Sequence, residues 1–284
     1  MSLSKKISYN KRSAKKLGWN PSWFGCLDFD QQLIENIKDF QHEFGLTADG
    51  MCGAVTYRRK YSERLSEQTD EFIICNDTEI PIEWGKVVLW NEPNGMKAPS
   101  GTYTRHNSAR NPRMFVNHWD VCLDSKTCFK VLKKRGISVH FMIDNDGTIY
   151  QTLDTKHIAW QAGRGFNRST IGVEISNAYY PKYQGWYEKR FGPRPIVSNA
   201  KVRGRSLRKH LGFYEVQKQA AAALWKAIHV GHGIPLVTPT NDDGSERSET
   251  LSSSELKKYK GFVHHYHLTE RKIDCGGFDI TKYI

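Results

Sequence analysis

Val139-His140-Phe141-Met142-Ile143-Asp144-Asn145-Asp146-Gly147-Thr148-Ile149-Tyr150-Gln151-Thr152 is two short apolar runs around one polar turn. β-Branched and aromatic residues favour extended chain, and Asn145-Asp146-Gly147 supplies side chains that tolerate the tight turn of a hairpin. The stretch therefore reads as a strand over 139–143, a turn, and a strand over 148–152. Working outward, Met114 to Asn117 and Ile171 to Ser176 read as further strands, and Cys122 to Lys134 as a helix ended by Gly136. Glu215 to Val230 is the clearest helix, with Ala220 to Ala223 at its centre and Gly231 at its end. This mixture implies an α/β domain, a mixed central sheet covered by helices.

Upstream, Asp28 to Leu65 reads as a small all-α unit. Asp30 caps a helix whose apolar positions are Leu33, Ile34, Ile37 and Phe40. Gln41-His42-Glu43-Phe44 finishes it, Gly45 suits the C-cap, Asp49-Gly50 signals a turn, and Gly53 and Thr56 lead into a second helical stretch. Between the two units lie short apolar runs at Phe72 to Ile74 and Val87 to Trp90, broken by Asn94-Gly95, Pro99 and Gly101. The reading is a helical module at 1–65, a connector at 66–112 and the α/β domain at 113–284. Tyr179 to Gly212, rich in aromatic and basic residues, and Thr238 to Lys260, polar and serine-rich, read as surface insertions.

Of 284 residues, 38% are hydrophobic and 25% charged, which suits a globular chain and excludes a disordered or collagen-like one. No apolar run reaches the roughly eighteen residues that span a bilayer. Met1 to Lys16 is basic, with no apolar stretch behind it, so no secretory signal is expected there. A formal charge of +12 suits an anionic partner. Zinc-finger spacing, an RRM signature and a long arginine-rich tail are all missing, so nucleic acid is not the expected partner. The six cysteines, Cys26, Cys52, Cys75, Cys122, Cys128 and Cys275, show no disulfide-framework spacing and read as reduced thiols.

The chemistry concentrates in two places. His118 closes a predicted strand. Far downstream come Val263-His264-His265-Tyr266-His267 and Arg271-Lys272-Ile273-Asp274-Cys275. Neutral imidazole and carboxylate are good zinc ligands, and three protein ligands leave a fourth position open for catalysis. A single histidine is most often structural, but three His, a Lys, an Asp and a Cys in one short segment are harder to dismiss. Neighbours on a strand face opposite ways, so His264 and His265 cannot both aim at one ion.

Val263 to Gly276 resembles the C-terminal motif of the zinc-dependent N-acetylmuramoyl-L-alanine amidase family, and the ordered match runs from about Met114 to Phe278. That resemblance makes His118 the first ligand and places Lys272 and Asp274 as catalytic lysine and third ligand, two residues apart. Cys275 is the rival to Asp274, since a thiolate also binds zinc. For the second ligand, Phe115-Val116-Asn117-His118 and Phe262-Val263-His264-His265 share one pattern, which selects His265. The family's usual distance to the lysine selects His264. The central hairpin matches residues 139–151, and Ile171-Gly172-Val173-Glu174 resembles the strand carrying the catalytic glutamate. One branch uses a Tyr in the hairpin instead. Its position here is Val139, so Glu174 is the expected base. Where the family often has a His after Ala-Trp, this chain has Ala159-Trp160-Gln161, which implies retuned activity, not loss. Phe40-Gln41, Gly45-Leu46, Asp49-Gly50, Gly53 and Thr56 resemble the peptidoglycan-binding module found beside many wall hydrolases.

The resemblance thus implies a Zn2+ amidase that cuts between N-acetylmuramic acid and L-alanine, with peptidoglycan as partner and electrostatic contact with an anionic envelope. It further implies a phage endolysin, held in the host cytoplasm until released to the wall. The rival readings are a secreted amidase effector, a non-catalytic wall-binding protein, and a glycosidase. The last needs two carboxylates flanking a sugar bond, and the sequence nominates no such pair.

Overall fold

The computed structural model describes residues 1–66 and 71–284. Helices Leu3–Leu17, Gln31–Glu43 and Ala54–Ser66 form the N-terminal unit. The Asp30 carboxylate caps the second helix by accepting from Leu33 N at 2.9 Å. Trp19, Phe24, Leu33, Ile37, Phe40 and Cys52 make its core. The motif residues bond to one another. Gln41 accepts from Gly50 N at 2.8 Å and donates to Asp49 Oδ1 and Thr56 Oγ1, both at 3.0 Å. Gly50 has φ 74°, and a Cβ there would lie 2.6 Å from Ile34 Cγ2. Leu3–Leu17 was not expected as a helix from its basic, polar sequence. Tertiary bonds hold it, since Asn10 donates to Gly50 O at 3.0 Å and accepts from Cys52 N at 2.9 Å.

A six-stranded sheet organises the remainder, in the order Gly261–His264, Met114–Trp119, Thr170–Ile175, Phe141–Ile143, Ile149–Gln151, Val87–Val88. The first four run parallel, and the hairpin at 145–147 reverses the last two. The alternation of side chains sorts the faces. Phe115, Phe141, Ile143, Ile171, Val173, Ile175 and Phe262 pack on Ala220, Ala221, Leu224, Trp225 and Ile228 of the helix Glu215–His232. Met142 packs on the other face with Cys128 and Leu132 of the helix Ser125–Lys134, and Met114, Val116 and Val263 face the same way.

From residue 71 onward the connector packs with this domain: Val87–Val88 forms the sixth strand, and Ile73, Cys75, Ile82, Trp84 and Leu89 enter its main core. The long helix runs past its expected end. Gly233, with φ 65°, is its C-cap, while Gly231 lies inside it, where a Cβ would come within 2.9 Å of Cys75 Sγ. The 179–212 stretch holds the short helix Gln184–Glu188 and two small ribbons. The two units touch where Arg59 donates to Gln219 and Ser62 Oγ lies 3.2 Å from Asp146 O. Among the described residues, no helix is long and apolar enough to cross a membrane.

Candidate metal centre

His118 lies near the end of its strand on the face away from the long helix, and the parallel pairing places Glu174 directly beside it. On the other side the register pairs His264 with Asn117, so the next residue, His265, falls level with His118. His264 and Asn117 turn to the opposite face. Asn117 accepts from Trp225 Nε1 at 3.1 Å, and His264 Nε2 lies 2.7 Å from Phe278 O. His265 instead turns toward His118, because strands alternate and the chain bends into the short helix His265–Leu268 only after His264. The segment after that helix returns Asp274 to the same point.

Three atoms converge there. His118 Nδ1 lies 3.0 Å from His265 Nδ1 and 3.2 Å from Asp274 Oδ2, and His265 Nδ1 lies 3.1 Å from that oxygen. All three residues are buried. Two imidazole nitrogens and a carboxylate oxygen face one another with too few protons to bridge every pair, an arrangement that a cation between them resolves. Donors in a tetrahedral shell with bonds near 2.0–2.1 Å sit about 3.3 Å apart, close to the measured separations. The group can therefore hold a metal ion.

Around the centre is a cleft of about 390 Å³, lined by His118, Glu174, His265, Arg271, Lys272 and Asp274 together with Tyr179 and Tyr180. Glu174 Oε2 is buried and has no hydrogen-bond partner among the described residues. The family model described as "N-acetylmuramoyl-L-alanine amidase" matches residues 108–276. The chain belongs to this amidase family. The model described as "Putative peptidoglycan binding domain" matches residues 22–59. The protein is thus a peptidoglycan hydrolase of the amide between N-acetylmuramic acid and L-alanine, joined to a wall-binding module.

Several solved structures resemble the amidase. An AmpD selenomethionine derivative shares 19% identity over 68% of this chain and 93% of its own, with a TM-score of 0.37. The endolysin LysCS from Clostridium intestinale shares 16% over 65% of this chain and 84% of its own, TM-score 0.37. AmiD from E. coli, bound to an anhydro-N-acetylmuramic acid peptide, shares 20% over 50% and 55%, TM-score 0.31. No curated protein sequence matches the amidase.

Electrostatics in the amidase cleft follow from burial and charge pairing. Burial raises the Glu174 carboxyl, and the Asp274 charge adds to this against the pull of His118 and Lys272. Burial also opposes charge on Asp274, but its contacts with His118 and His265 outweigh that and hold it well below the usual carboxylate range. For His118, burial acts downward, and Asp274, Glu174 and Gln161 together raise it. His265 is lowered, first by burial and then by the His118 charge.

Two other buried histidines use both ring nitrogens within the fold. His140 Nδ1 accepts from Gly172 N at 3.3 Å and Nε2 donates to His157 O at 3.0 Å. His267 Nδ1 accepts from His264 N at 3.0 Å and Nε2 donates to Arg247 O at 2.6 Å. Cys275, fully buried, packs in the main core beside Phe278, and all six cysteines are free thiols. The sequence reading treated Gln161 only as a departure from the family pattern. Its Oε1 lies 2.8 Å from His118 Nε2. The signal that could have found it is Gly172, a glycine inside a strand of otherwise bulky residues.

Proposed function

We propose that the protein is a zinc-dependent endolysin-like amidase in which His118, His265 and Asp274 hold the metal, Glu174 is the catalytic base and Lys272 stabilises developing charge. One observation carries this reading: three mutually close donors stand on the same sheet face as a carboxylate whose buried Oε2 has no hydrogen-bond partner among the described residues. Zinc bound there would supply Lewis acidity toward a carbonyl and ready deprotonation of water near neutral pH. Glu174 takes the proton of the attacking water at Oε2 and passes it to the departing amine of L-alanine. Its raised affinity for protons, set by burial, suits it to both halves of that transfer. Lys272, on the cleft wall, places its ammonium toward the lactyl oxygen as that atom gains charge.

The 1–65 unit would hold the enzyme to the wall while the 71–284 unit cuts, with the connector built into the catalytic sheet. The +12 charge adds attraction to an anionic envelope, which salt weakens. Synthesis in a host cytoplasm followed by release to the wall fits this reading. The test is digestion of purified peptidoglycan with and without chelator, followed by fragment analysis. New L-alanine amino termini that vanish with chelator and return with zinc are expected. New reducing sugar ends, or bound but uncut wall, would reject the proposal.

A further inference from the structure

The orientation of one amide decides what His118 can do. Phe166 O is a pure acceptor, and Thr170 Oγ1 donates its only proton there at 3.1 Å. The Thr170 oxygen is therefore left to accept, and Gln161 Nε2 donates to it at 3.2 Å. That bond turns Gln161 Oε1 the other way, 2.8 Å from His118 Nε2. A carbonyl oxygen only accepts, so Nε2 carries the proton of the neutral ring. The lone pair then sits on Nδ1, the atom that faces His265 Nδ1 and Asp274 Oδ2. The opposite amide orientation would put the proton on Nδ1 and close that position to a cation.

The surroundings are shaped for this amide. The main chain is pinned by Asn167 Oδ1, which accepts from Gln161 N at 3.1 Å and Ala162 N at 2.8 Å. Gly172 leaves the space for the side chain: a Cβ there would lie 1.7 Å from Gln161 Oε1 and 2.4 Å from its Cδ. Gly172 is not among the positive-φ glycines, so its backbone torsion does not demand glycine and the room it leaves explains the residue. Phe166, Thr170, Gly172 and Gln161 thus form one device with His118 at its end.

We propose that Gln161 is a positioning residue that fixes the Nε2–H tautomer of His118, keeping Nδ1 open for the metal. The inference rests on His118 being a zinc ligand. Partners of this kind commonly contribute roughly 10–100-fold to metal affinity. Glutamate at 161 would accept from the same N–H more strongly, whereas alanine would leave the ring to choose its tautomer.

The test uses the full chain stripped of metal and titrated with zinc against a competing chelator. A companion nitrogen NMR spectrum of the ring-labelled, metal-free protein is recorded at about pH 9, where an ordinary imidazole is neutral. We expect Gln161→Ala to weaken zinc binding about 10–100-fold and to lose the dominant Nε2–H signal of His118, and Gln161→Glu to restore both. Gly172→Ala, which displaces the amide without changing its chemistry, should weaken zinc in the same direction. Thr170→Val, which removes the pin on the amide, should do so to a smaller extent and carries the test if the other variants do not fold. Folded variants that bind zinc as tightly as the parent, or a parent protein whose metal-free His118 is already Nδ1–H, would overturn the proposal. A parent protein that takes up no zinc would instead overturn the assignment of the metal centre.

Discussion

His264 and His265 are adjacent in the chain and both buried, yet they have different surroundings. His265 Nδ1 faces another imidazole and a carboxylate, with no backbone hydrogen bond among the described residues. His264 lies on the other side of the sheet among Phe278, Tyr266 and His267, with Nε2 on a backbone carbonyl. His264 Nδ1 has no hydrogen-bond partner among the described residues, whereas His267 and His140 each use both ring nitrogens on neighbouring groups. The difference teaches that burial and residue type do not mark a candidate ligand histidine. What marks it is a lone pair aimed at other lone pairs.

The severest test of this contrast is to remove one histidine from each side. His265→Asn should empty the metal centre, weakening zinc by more than the roughly 10–100-fold that an outer partner contributes. His264→Asn should retain one zinc per chain by elemental analysis. If the two variants lose metal equally, the contrast fails. In the cleft beside the converging group, Glu174→Gln should lower turnover about 10²–10⁴-fold with zinc content unchanged. A variant that keeps its rate would remove Glu174 from the reaction. Lys272→Met should cost about 10²–10³-fold, mainly in kcat, and a change confined to KM would make it a binding residue only.

The packed side sharpens through pH. An ordinary imidazole protonates near pH 6.5, whereas burial pushes His267 down to about 3 and His232 down to about 4. The unfolded chain therefore takes up protons first. Stability from these neutral rings is complete above pH 6.5 and declines as pH falls from there toward 3–4. At pH 5 the His267 contribution to that decline is roughly 2 kcal/mol. His267→Gln should flatten the fall in denaturation midpoint between pH 6.5 and 4, and an unchanged slope would contradict the burial of a neutral ring.

Much of the fold was legible because periodicity reports on faces. The hairpin at 145–147 and the strands at 114–117 and 171–176 emerged near their observed bounds, since one-residue alternation of bulk is what a sheet covered by helices requires. The shared pattern ahead of His118 and His265 was legible for the same reason: the two strands pair in register with each other. Other features depended on partners distant in sequence. The helix Leu3–Leu17 carries little apolar signal and relies on Asn10 reaching the turn at residues 50–52. Gly231 looked like a helix end because a close approach to Cys75 leaves the same residue type as a left-handed cap. Gln161 stood out only as a departure from the family pattern, because a polar residue in a loop shows its use only when the histidine it touches is in place.

His118 and His265 are separated by 147 positions yet meet on neighbouring strands, and the Gly261–His264 strand sits at the border of the sheet. The proposed metal centre is consequently a clasp between two distant stretches of polypeptide. A truncated product that stops short of residue 274 could build most of the sheet but never close the clasp. Enzymatic competence therefore reports that the whole catalytic unit has been made and folded.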